Sequence, residues 1–478
     1  GTLPLNGNLV EIETLLSLDE TNEIVPANFN LYIDADFVDN GVTIEYSDTF
    51  EYELDVTLNQ AGFPIPTAEI RSNPLVIDLD NDGDNELIIG DYTGIIHIYN
   101  ADGTEIINNG FPFDTGNQIW GSPASADLDG DGFLEFVIPS KSKHLYIFDH
   151  TGLKLDYETE VYLIGTPAIG NMDDDEDLEL VFSGYSSGNK LFVINADGSD
   201  VNSFPIDLGE KSKAGPALAD FNGNDRDDIV LGTDENHIYL ILDDGSIAPG
   251  FPFIGNDKFQ TAPSVADING EKVIFCGNND FNFYAINSDG GLRFSLLTGD
   301  RVNTSPSFVY PNNSLYVMFG SKDDKIYAVD MNGNSLPGWP IKLDGNIEGS
   351  IVFSDLDDDG SPEMVAVTDA GTMSVFHLDG NLYHHFPIDN DLPFTGPPLI
   401  VDLDNDNDLE IISGLLNSLI VLDIKDLSNE NIYWNMFRGN HQRTGYLGSS
   451  ECNIPLGDIN ADGNWNIMDI VMLANCIL

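Results

Sequence analysis

The sequence predicts an all-β fold: an eight-bladed β-propeller of four-stranded antiparallel blades, with a small N-terminal β region and a short C-terminal calcium-loop and helix segment. Three observations predict the ring. A unit of short apolar stretches recurs every 43 to 49 residues, a spacing in the range of propeller blades. Asp-Gly turns such as Asp102-Gly103 and Asp197-Gly198 follow β-rich stretches, which is typical of hairpins. Hydrophobic residues make up 41% of the 478-residue chain, which is enough for a packed core.

Each unit opens with a small residue that in most copies precedes a proline. The eight openings are Asn73-Pro74, Ser122-Pro123, Thr166-Pro167, Gly215-Pro216, Ala262-Pro263, Ser305-Pro306, Gly349-Ser350 and Pro397-Pro398. Aligning the units on their turns places in one column His97, Tyr146, Phe192, Tyr239, Tyr284, Tyr327, Ser374 and Ile420. Because a repeated aromatic in a β-strand usually packs between sheets, we interpret this column as core and not as a sugar or cofactor stack.

A Gly-Phe-Pro-type element ends most units. It occurs at Gly110-Phe111-Pro112, Ser203-Phe204-Pro205, Gly250-Phe251-Pro252, Gly338-Trp339-Pro340 and His385-Phe386-Pro387. Proline is tolerated on edge strands, so we expect this element to be the outermost strand of a blade. The same element stands before the first unit, at Gly62-Phe63-Pro64, whereas the eighth unit lacks it. We therefore predict that residues 62–66 complete the eighth blade and close the ring, which removes exposed sheet edges.

These patterns divide the chain into three parts. Residues 61–447 form the propeller. Residues 1–60 carry no unit, but 29–33 and 50–56 alternate apolar and polar residues, which predicts strands of a β-sandwich-like region. Too few strands are visible there for a complete immunoglobulin-like domain. Residues 448–478 form the C-terminal segment.

A nine-residue acidic loop lies between the first and second strands of six units. Its pattern is Asp-x-Asp-x-Asp-Gly-x-x-Glu, as at residues 78–86. Calcium explains this pattern, because the ion takes six to eight oxygen ligands, alternate side chains point inward, the seventh position offers its backbone carbonyl and glycine permits the bend. The predicted ligands are Asp78, Asp80, Asp82, Asp84, Glu86, Asp127, Asp129, Asp131, Phe133, Glu135, Asn171, Asp173, Asp175, Asp177, Glu179, Asp220, Asn222, Asn224, Arg226, Asp228, Asp355, Asp357, Asp359, Ser361, Glu363, Asp402, Asp404, Asp406, Asp408 and Glu410.

The alternative is a set of polar loops with solvated carboxylates. Six matching loops favour cations, because three or four crowded carboxylates repel by several kcal/mol. The fifth and sixth units have only Asp267 to Glu271 and Tyr310 to Asn313 at this place, and we predict that they bind no ion.

The loop, the period and the Gly-Phe-Pro element resemble the FG-GAP or VCBS-repeat β-propeller family over residues 62–446. That family includes the integrin alpha-chain head, which has seven blades where this chain has eight units. The resemblance implies that the loops are structural calcium sites and that the ring presents a face to a protein or glycan ligand.

A second calcium motif lies near the C-terminus. Its spacing is that of an EF-hand loop with glycine at position 6, and the candidate ligands are Asp458, Asn460, Asp462, Asn464, Asn466 and Asp469. An amphipathic helix is expected to begin near Ile467. The segment resembles one of the two repeats of a type I dockerin, which implies a cohesin-like partner or self-association.

The charge excludes several classes of partner. Eighty-one Asp and Glu residues against 18 Lys and Arg give a net charge of -63, which opposes nucleic acid and anionic lipid. No apolar run reaches the length of a membrane span, and the first ten residues do not resemble a signal peptide. Any export signal would already have been removed. We expect an extracellular or cell-surface location.

The cysteines and the possible catalytic motifs add little to the prediction of function. Cys276 lies in an apolar run and is expected in the core, whereas Cys452 and Cys476 either pair or stay free. The Gly184-Tyr185-Ser186-Ser187-Gly188 pattern matches a nucleophile elbow but lies between two predicted strands, and an elbow needs a following helix. No catalytic set is apparent, and we expect no enzyme.

Three functions stay open. The first is a secreted, non-catalytic, calcium-stabilised propeller for adhesion, carbohydrate or protein binding, or assembly. The second is a polysaccharide-active enzyme that resembles rhamnogalacturonan lyases, which a basic cluster at the propeller mouth would favour. The third is a homo-oligomer or filament subunit.

Overall fold

The structure is a computed structural model that describes residues 27–39, 41–54, 57–175, 177–186, 190–201, 203–268, 270–310, 314–428 and 433–448. All regular elements in these ranges are β-strands, and none of these residues belongs to a helix long and apolar enough to cross a bilayer. The chain divides into two compact units. The predicted C-terminal calcium motif, its helix and Cys452 and Cys476 lie outside the described residues.

The first unit contains one antiparallel hairpin. Its strands are Ala27–Asp39 and Val42–Leu54, each 13 residues long, and they pair with each other only. These two strands are the described part of the predicted β-sandwich-like region.

The second unit contains eight blades. Each blade is an antiparallel sheet in which the first, second, third and fourth strands are hydrogen-bonded in that order. Blade 1 comprises Leu75–Ile77, Glu86–Gly90, Ile95–Asn100 and Phe113–Asp114. Blade 2 comprises Ala124–Ala126, Glu135–Ser140, His144–Asp149 and Gly152–Glu158. Blade 3 comprises Ala168–Gly170, Glu179–Ser183, Lys190–Ile194 and Ile206–Asp207. Blade 4 comprises Ala217–Ala219, Asp228–Gly232, His237–Ile241 and Phe253–Ile254.

The remaining blades repeat this plan. Blade 5 comprises Ser264–Ile268, Glu271–Gly277, Asn282–Asn287 and Leu292–Leu297. Blade 6 comprises Ser307–Val309, Tyr316–Ser321, Lys325–Asp330 and Ile341–Lys342. Blade 7 comprises Ile347–Ser354, Glu363–Thr368, Thr372–Phe376 and Ile388–Asp389. Blade 8 comprises Leu399–Val401, Glu410–Gly414, Ser418–Asp423 and, from the start of the propeller, Ile65–Pro66.

The predicted closure of the ring is confirmed. Ile65 pairs with Leu419 in antiparallel register, so residues from before the first unit supply the outer strand of blade 8. The core lies between blades: Val76 and Leu87 of blade 1 pack in one buried cluster with Ile412 of blade 8. Burial of each such side chain contributes roughly 1.5–3 kcal/mol.

The Gly-Phe-Pro element differs from the prediction in one respect. The proline stands just before the outer strand, which begins at the next residue, as Phe113 follows Pro112. Proline has no N–H for the ladder, so the strand starts only after it. The aromatic residue of the element is buried instead in five of the six copies, with Phe204 4% and Trp339 7% exposed, and Phe251 is half-buried.

The aromatic column packs as expected. All eight members lie on the third strands at matching register, for example Tyr146 opposite Ile138 and Tyr327 opposite Phe319. Seven of them are buried, and His97 is half-buried. The column is therefore core between sheets.

Antiparallel order gives the propeller two distinct faces. The first-to-second connections of all eight blades, and the third-to-fourth connections of blades 1 to 7, lie at one end of the strands, which we call the acidic face. The second-to-third loops and the connections between blades lie at the other end, which we call the opposite face.

A segment after blade 8, residues 433–448, forms a central belt that the sequence did not predict. Its backbone carbonyls accept hydrogen bonds from the first strands of successive blades. The donors are Phe353, Ile400, Ser125, Ile169, Leu218 and Val265, of blades 7, 8, 2, 3, 4 and 5. Tyr446–Leu447 then pairs in parallel with the first strand of blade 5.

Two arginines fix the belt to the ring. Arg443 is fully buried and donates to the carbonyls of Pro74 (3.1 Å), Pro123 (2.9 Å) and Phe437 (2.7 Å). Arg438, 1% exposed, donates to the carbonyls of Pro216 and Arg443. The prolines that open the units thus offer carbonyls toward the axis. Burial lowers the pKa of Arg443 to about 9, so its guanidinium stays charged at neutral pH.

Candidate functional site

The acidic loops gather carboxylates at the acidic face. At least five loops, in blades 1, 2, 3, 7 and 8, bring ligand atoms of three acidic side chains within 4.8 Å of one another. The sets are Asp78, Asp80 and Asp82; Asp127, Asp129 and Glu135; Asp173, Asp175 and Glu179; Asp355, Asp357 and Asp359; and Asp402, Asp404 and Glu410. In each of these five loops, three of the predicted side chains therefore converge.

In five of the six loops the backbone wraps around the first aspartate, whereas the loop of blade 3 begins with Asn171, whose Oδ1 is buried and has no partner among the described residues. In blade 7, Asp355 accepts the N–H groups of Asp359 (3.1 Å) and Gly360 (2.8 Å), which fixes the carboxylate inside the turn. Gly360 has φ 85°, a left-handed conformation that favours glycine. The N–H of the seventh residue, Ser361, donates to the fifth, Asp359, at 2.7 Å.

The ninth residue closes each loop from the second strand. In all six loops one of its carboxylate oxygens accepts the N–H of the second loop residue, as in Leu128 to Glu135 (2.8 Å) and Leu403 to Glu410 (2.6 Å). In three of them, Glu135, Glu179 and Glu410, the other oxygen is buried and has no partner among the described residues. These glutamates are 2%, 0% and 0% exposed.

Such unpartnered oxygens are costly in a protein interior. Burial and the neighbouring aspartates raise the pKa of Glu179 to about 7 and of Glu410 to about 9, against the opposing effect of the backbone hydrogen bonds. An oxygen that points into a ring of carboxylates and lacks a donor is suited to a cation.

The loop of blade 4 is built differently. The second oxygen of Asp228 already accepts the N–H of Asp243 (3.0 Å) and the amide of Asn222 (3.3 Å). The guanidinium of Arg226 pairs with Asp243 and with Asp174 of the neighbouring loop. Because both oxygens of the closing carboxylate of this loop already accept hydrogen bonds, the prediction of an ion there is weakened.

The shortened loop of blade 5 compensates its charge internally. Asp267 accepts the N–H of Gly270 at 2.6 Å and lies 3.4 Å from the ammonium of Lys272, so its charge is compensated within the hairpin. In blade 6, residues 311–313 of the corresponding connection lie outside the described residues.

Sequence reasoning did not identify the groups that surround the loops. Lys154 contacts Asp129 at 3.3 Å, and the amide of Gln60 donates to Asp404 at 2.6 Å. Asparagine side chains also join neighbouring loops: Asn81 donates to the Gly132 carbonyl and Asn405 to that of Gly83. The asparagine at the fourth loop position is the sequence feature that could have predicted these contacts between loops.

Comparison with known proteins supports the repeat and the ring. Residues 78–138 match the FG-GAP-like repeat. No curated protein is similar enough in sequence to count as a relative. Among solved structures, the V. cholerae biofilm matrix protein Bap1 is similar with a TM-score of 0.58 and 13% identity, over 79% of this chain and 94% of that one. Saccharomyces cerevisiae Sqt1 is similar with a TM-score of 0.58 and 12% identity, over 78% of this chain and 100% of that one. At these identities the likeness shows the propeller fold alone.

Proposed function

We propose that the protein is an extracellular, non-catalytic binding module whose propeller is stabilised by calcium at the acidic loops. The observation that carries the proposal is the buried, unpartnered carboxylate oxygen of Glu135, Glu179 and Glu410, which points into a cluster of carboxylates. A cluster of this kind without a cation is repulsive, and its repetition in five blades would make the acidic face a concentrated source of strain.

The donor set favours calcium over other divalent ions. Side-chain oxygens and one backbone carbonyl are hard ligands, and the nine-residue loops offer enough of them for six or more contacts. No histidine or cysteine belongs to the five clusters, which disfavours zinc. Calcium-binding modules of extracellular proteins have weak sites, with dissociation constants of about 10⁻⁴ to 10⁻³ M, and exposed loops of this kind suit the proposed location.

The strand arrangement bears on the elbow-like pattern alone. Ser186 of that pattern follows the strand Glu179–Ser183 and precedes Lys190–Ile194, so the next element among the described residues is a strand. A nucleophile elbow requires that helix. The enzyme alternative therefore gains no support from this motif.

The test is thermal unfolding with and without calcium, together with metal analysis of the dialysed protein. We expect about five calcium ions from the propeller loops and a Tm that falls by several degrees in EDTA and recovers with calcium but not with magnesium. An unchanged Tm in EDTA, with no bound calcium, would contradict the proposal.

A further inference from the structure

A pocket of about 550 Å³ lies on the acidic face between blades 6 and 7, and we call it the tyrosine pocket. It is lined by residues at the first-to-second and third-to-fourth connections of both blades and by Tyr433 of the belt. Of its lining residues, only Asp359 belongs to one of the five carboxylate clusters described above. The volume is in the range of pockets that hold small organic ligands.

Two tyrosines of blade 6 stand where other blades have the first and last residues of the acidic loop. Val309 ends the first strand and pairs with Tyr316, just as Val401 pairs with Glu410 in blade 8. Tyr316 therefore takes the place of the closing glutamate. Tyr310, which follows Val309, takes the place of the first aspartate. Blade 6 thus has aromatic rings at two positions where six other blades have predicted calcium ligands.

The hydroxyl groups of three tyrosines in this pocket have no hydrogen-bond partner among the described residues. They belong to Tyr310, Tyr316 and Tyr433. Elsewhere in the propeller a tyrosine hydroxyl does pair, as where Tyr327 donates to Asp323 at 2.6 Å. Because partly buried tyrosine hydroxyls usually find a partner, three unpaired ones around one pocket indicate a ligand that offers hydrogen-bonding groups.

The core beneath the pocket holds its apolar side chains in place. Tyr316, Tyr433, Leu336 and Leu378 all pack against one buried cluster, which contains strand residues of blades 5, 6 and 7. Tyr310 is 37% exposed. The pocket therefore combines apolar surface with hydroxyl groups that are available to a ligand. Sugars match such a surface, because their C–H groups pack on aromatic rings while their hydroxyls form hydrogen bonds.

The charge of the pocket argues against an anionic ligand. Asp359 and Asp379 line it and are exposed, and none of the described residues that line it is Lys or Arg. His377 also lines it, but its Nδ1 lies 3.0 Å from the closing carboxylate of Glu363 and is engaged there. Carboxylates accept hydrogen bonds from sugar hydroxyls but repel uronate and sulfate groups.

We propose that the tyrosine pocket binds a neutral carbohydrate. A hexose unit would pack on the tyrosine rings, the free tyrosine hydroxyls would bond its hydroxyls, and Asp379 would accept from others. Aromatic pockets also bind quaternary ammonium ions. Such an ion would leave the three tyrosine hydroxyls unpaired, because its methyl groups offer no hydrogen-bonding atoms. The inference deepens the proposed binding role and rests on it, but it does not rest on calcium.

The test is titration calorimetry of the full chain with cellohexaose, mannohexaose and maltohexaose. The matched anionic control is each hexamer with its primary hydroxyls oxidised to carboxylates. We expect at least one neutral hexamer to bind with an affinity that does not depend on salt, and its oxidised form to bind about tenfold more weakly or worse.

Two variants separate the rings from the hydroxyls. Tyr310→Ala should weaken binding about tenfold or more, and Tyr310→Phe/Tyr433→Phe, which keeps both rings, about fivefold or more. The control variant is Tyr162→Ala, which removes a similarly exposed tyrosine from the opposite face and should bind within about twofold of the native chain. Circular dichroism and Tm confirm that each variant folds.

Three results would overturn the inference: absence of binding to all three hexamers, equal binding of the oxidised forms, or unaltered affinity in both pocket variants. Tighter binding of choline than of every hexamer would assign the pocket to a quaternary ammonium ligand instead. Calcium content and the Tm in EDTA are measured on the same protein. A failure of sugar binding would therefore leave the proposed calcium role intact, and a failure of that role would not alter the comparison of the variants.

Discussion

Asp80→Asn is the sharpest test of the calcium loops, because Asp80 is exposed and none of the hydrogen bonds or ion pairs found among the described residues involves it. The substitution removes one proposed ligand charge and leaves the loop's backbone contacts to Asp78 and Asp82 in place. The matched control is Asp84→Asn, four residues on in the same exposed loop. Its predicted ligand is the backbone carbonyl, so the side chain is free to change.

The expected size follows from the geometry. Carboxylate oxygens of Asp78, Asp80 and Asp82 lie within 4.8 Å of one another. A pair of unit charges at that distance repels by about 0.9 kcal/mol in a water-like medium and by about 3.5 kcal/mol at an effective dielectric constant of 20, so three pairs repel by about 3 to 10 kcal/mol without an ion. With calcium at ten times the dissociation constant, one site adds about 1.4 kcal/mol to the free energy of unfolding.

The change in Tm caused by Asp80→Asn should therefore have opposite signs in calcium and in EDTA. In calcium, Asp80→Asn should lower the Tm by about 2 °C for a propeller of roughly 390 residues and reduce the bound calcium by one ion per chain. In EDTA the same variant should unfold at or above the native Tm, because one repulsive charge is gone. Asp84→Asn should keep the native calcium content. The calcium assignment is wrong if Asp80→Asn loses the same stability in EDTA as in calcium, or if both variants retain every ion.

Three further predictions concern the belt, the atypical loop and one histidine. Arg443→Met should leave three buried carbonyls unpaired and lower the free energy of unfolding by at least about 3 kcal/mol, measured by urea unfolding with Arg443→Lys as the charge-preserving comparison; a loss below about 1 kcal/mol would mean that the arginine does not secure the belt. The triple change Asn222→Asp, Asn224→Asp and Arg226→Ala should add one calcium ion per chain by native mass spectrometry, and an unchanged count would show that blade 4 is excluded for another reason. Burial lowers the pKa of His97, but hydrogen bonds to Asp91 and Glu105 outweigh it and raise the pKa. Its stabilising contribution is therefore full below the ordinary histidine pKa and lost above the folded value, so His97→Gln should destabilise more at about pH 5.5 than at about pH 8.5 in thermal unfolding.

The sequence predicted the features that each blade repeats within its own residues. The acidic loop, the aromatic column and the Gly-Phe-Pro element recur at fixed offsets, so period and turn chemistry located the blades and the closing segment at Ile65–Pro66. The start of the outer strand was misplaced by three residues, because proline has no N–H for the strand ladder and the aromatic residue before it packs in the core. The loop of blade 4 differs from the other loops in sequence because it contains Arg226. Only the structure shows that this side chain pairs with Asp243.

Contacts between distant parts of the chain were not predictable. The belt joins residues about 320 to 370 positions apart, as in Arg443 with Pro123 and Pro74, and no local pattern marks a segment that accepts hydrogen bonds from the first strands of six blades. The buried arginines offered one hint, since two guanidinium groups close in sequence within an otherwise acidic chain need a special environment.

The charge of the chain can also be traced to particular places in the fold. Antiparallel blades separate the two ends of every strand, so the acidic loops of six blades collect on one face. The second-to-third loops and the connections between blades, at the other end of the strands, carry eight Lys or Arg and 14 Asp or Glu. At physiological ionic strength, fields are screened over about 8 Å, so each acidic loop experiences mainly its own carboxylates. Because the two faces are built from different connections of the same blades, ion binding at the acidic loops can be altered by mutation without changing the opposite face.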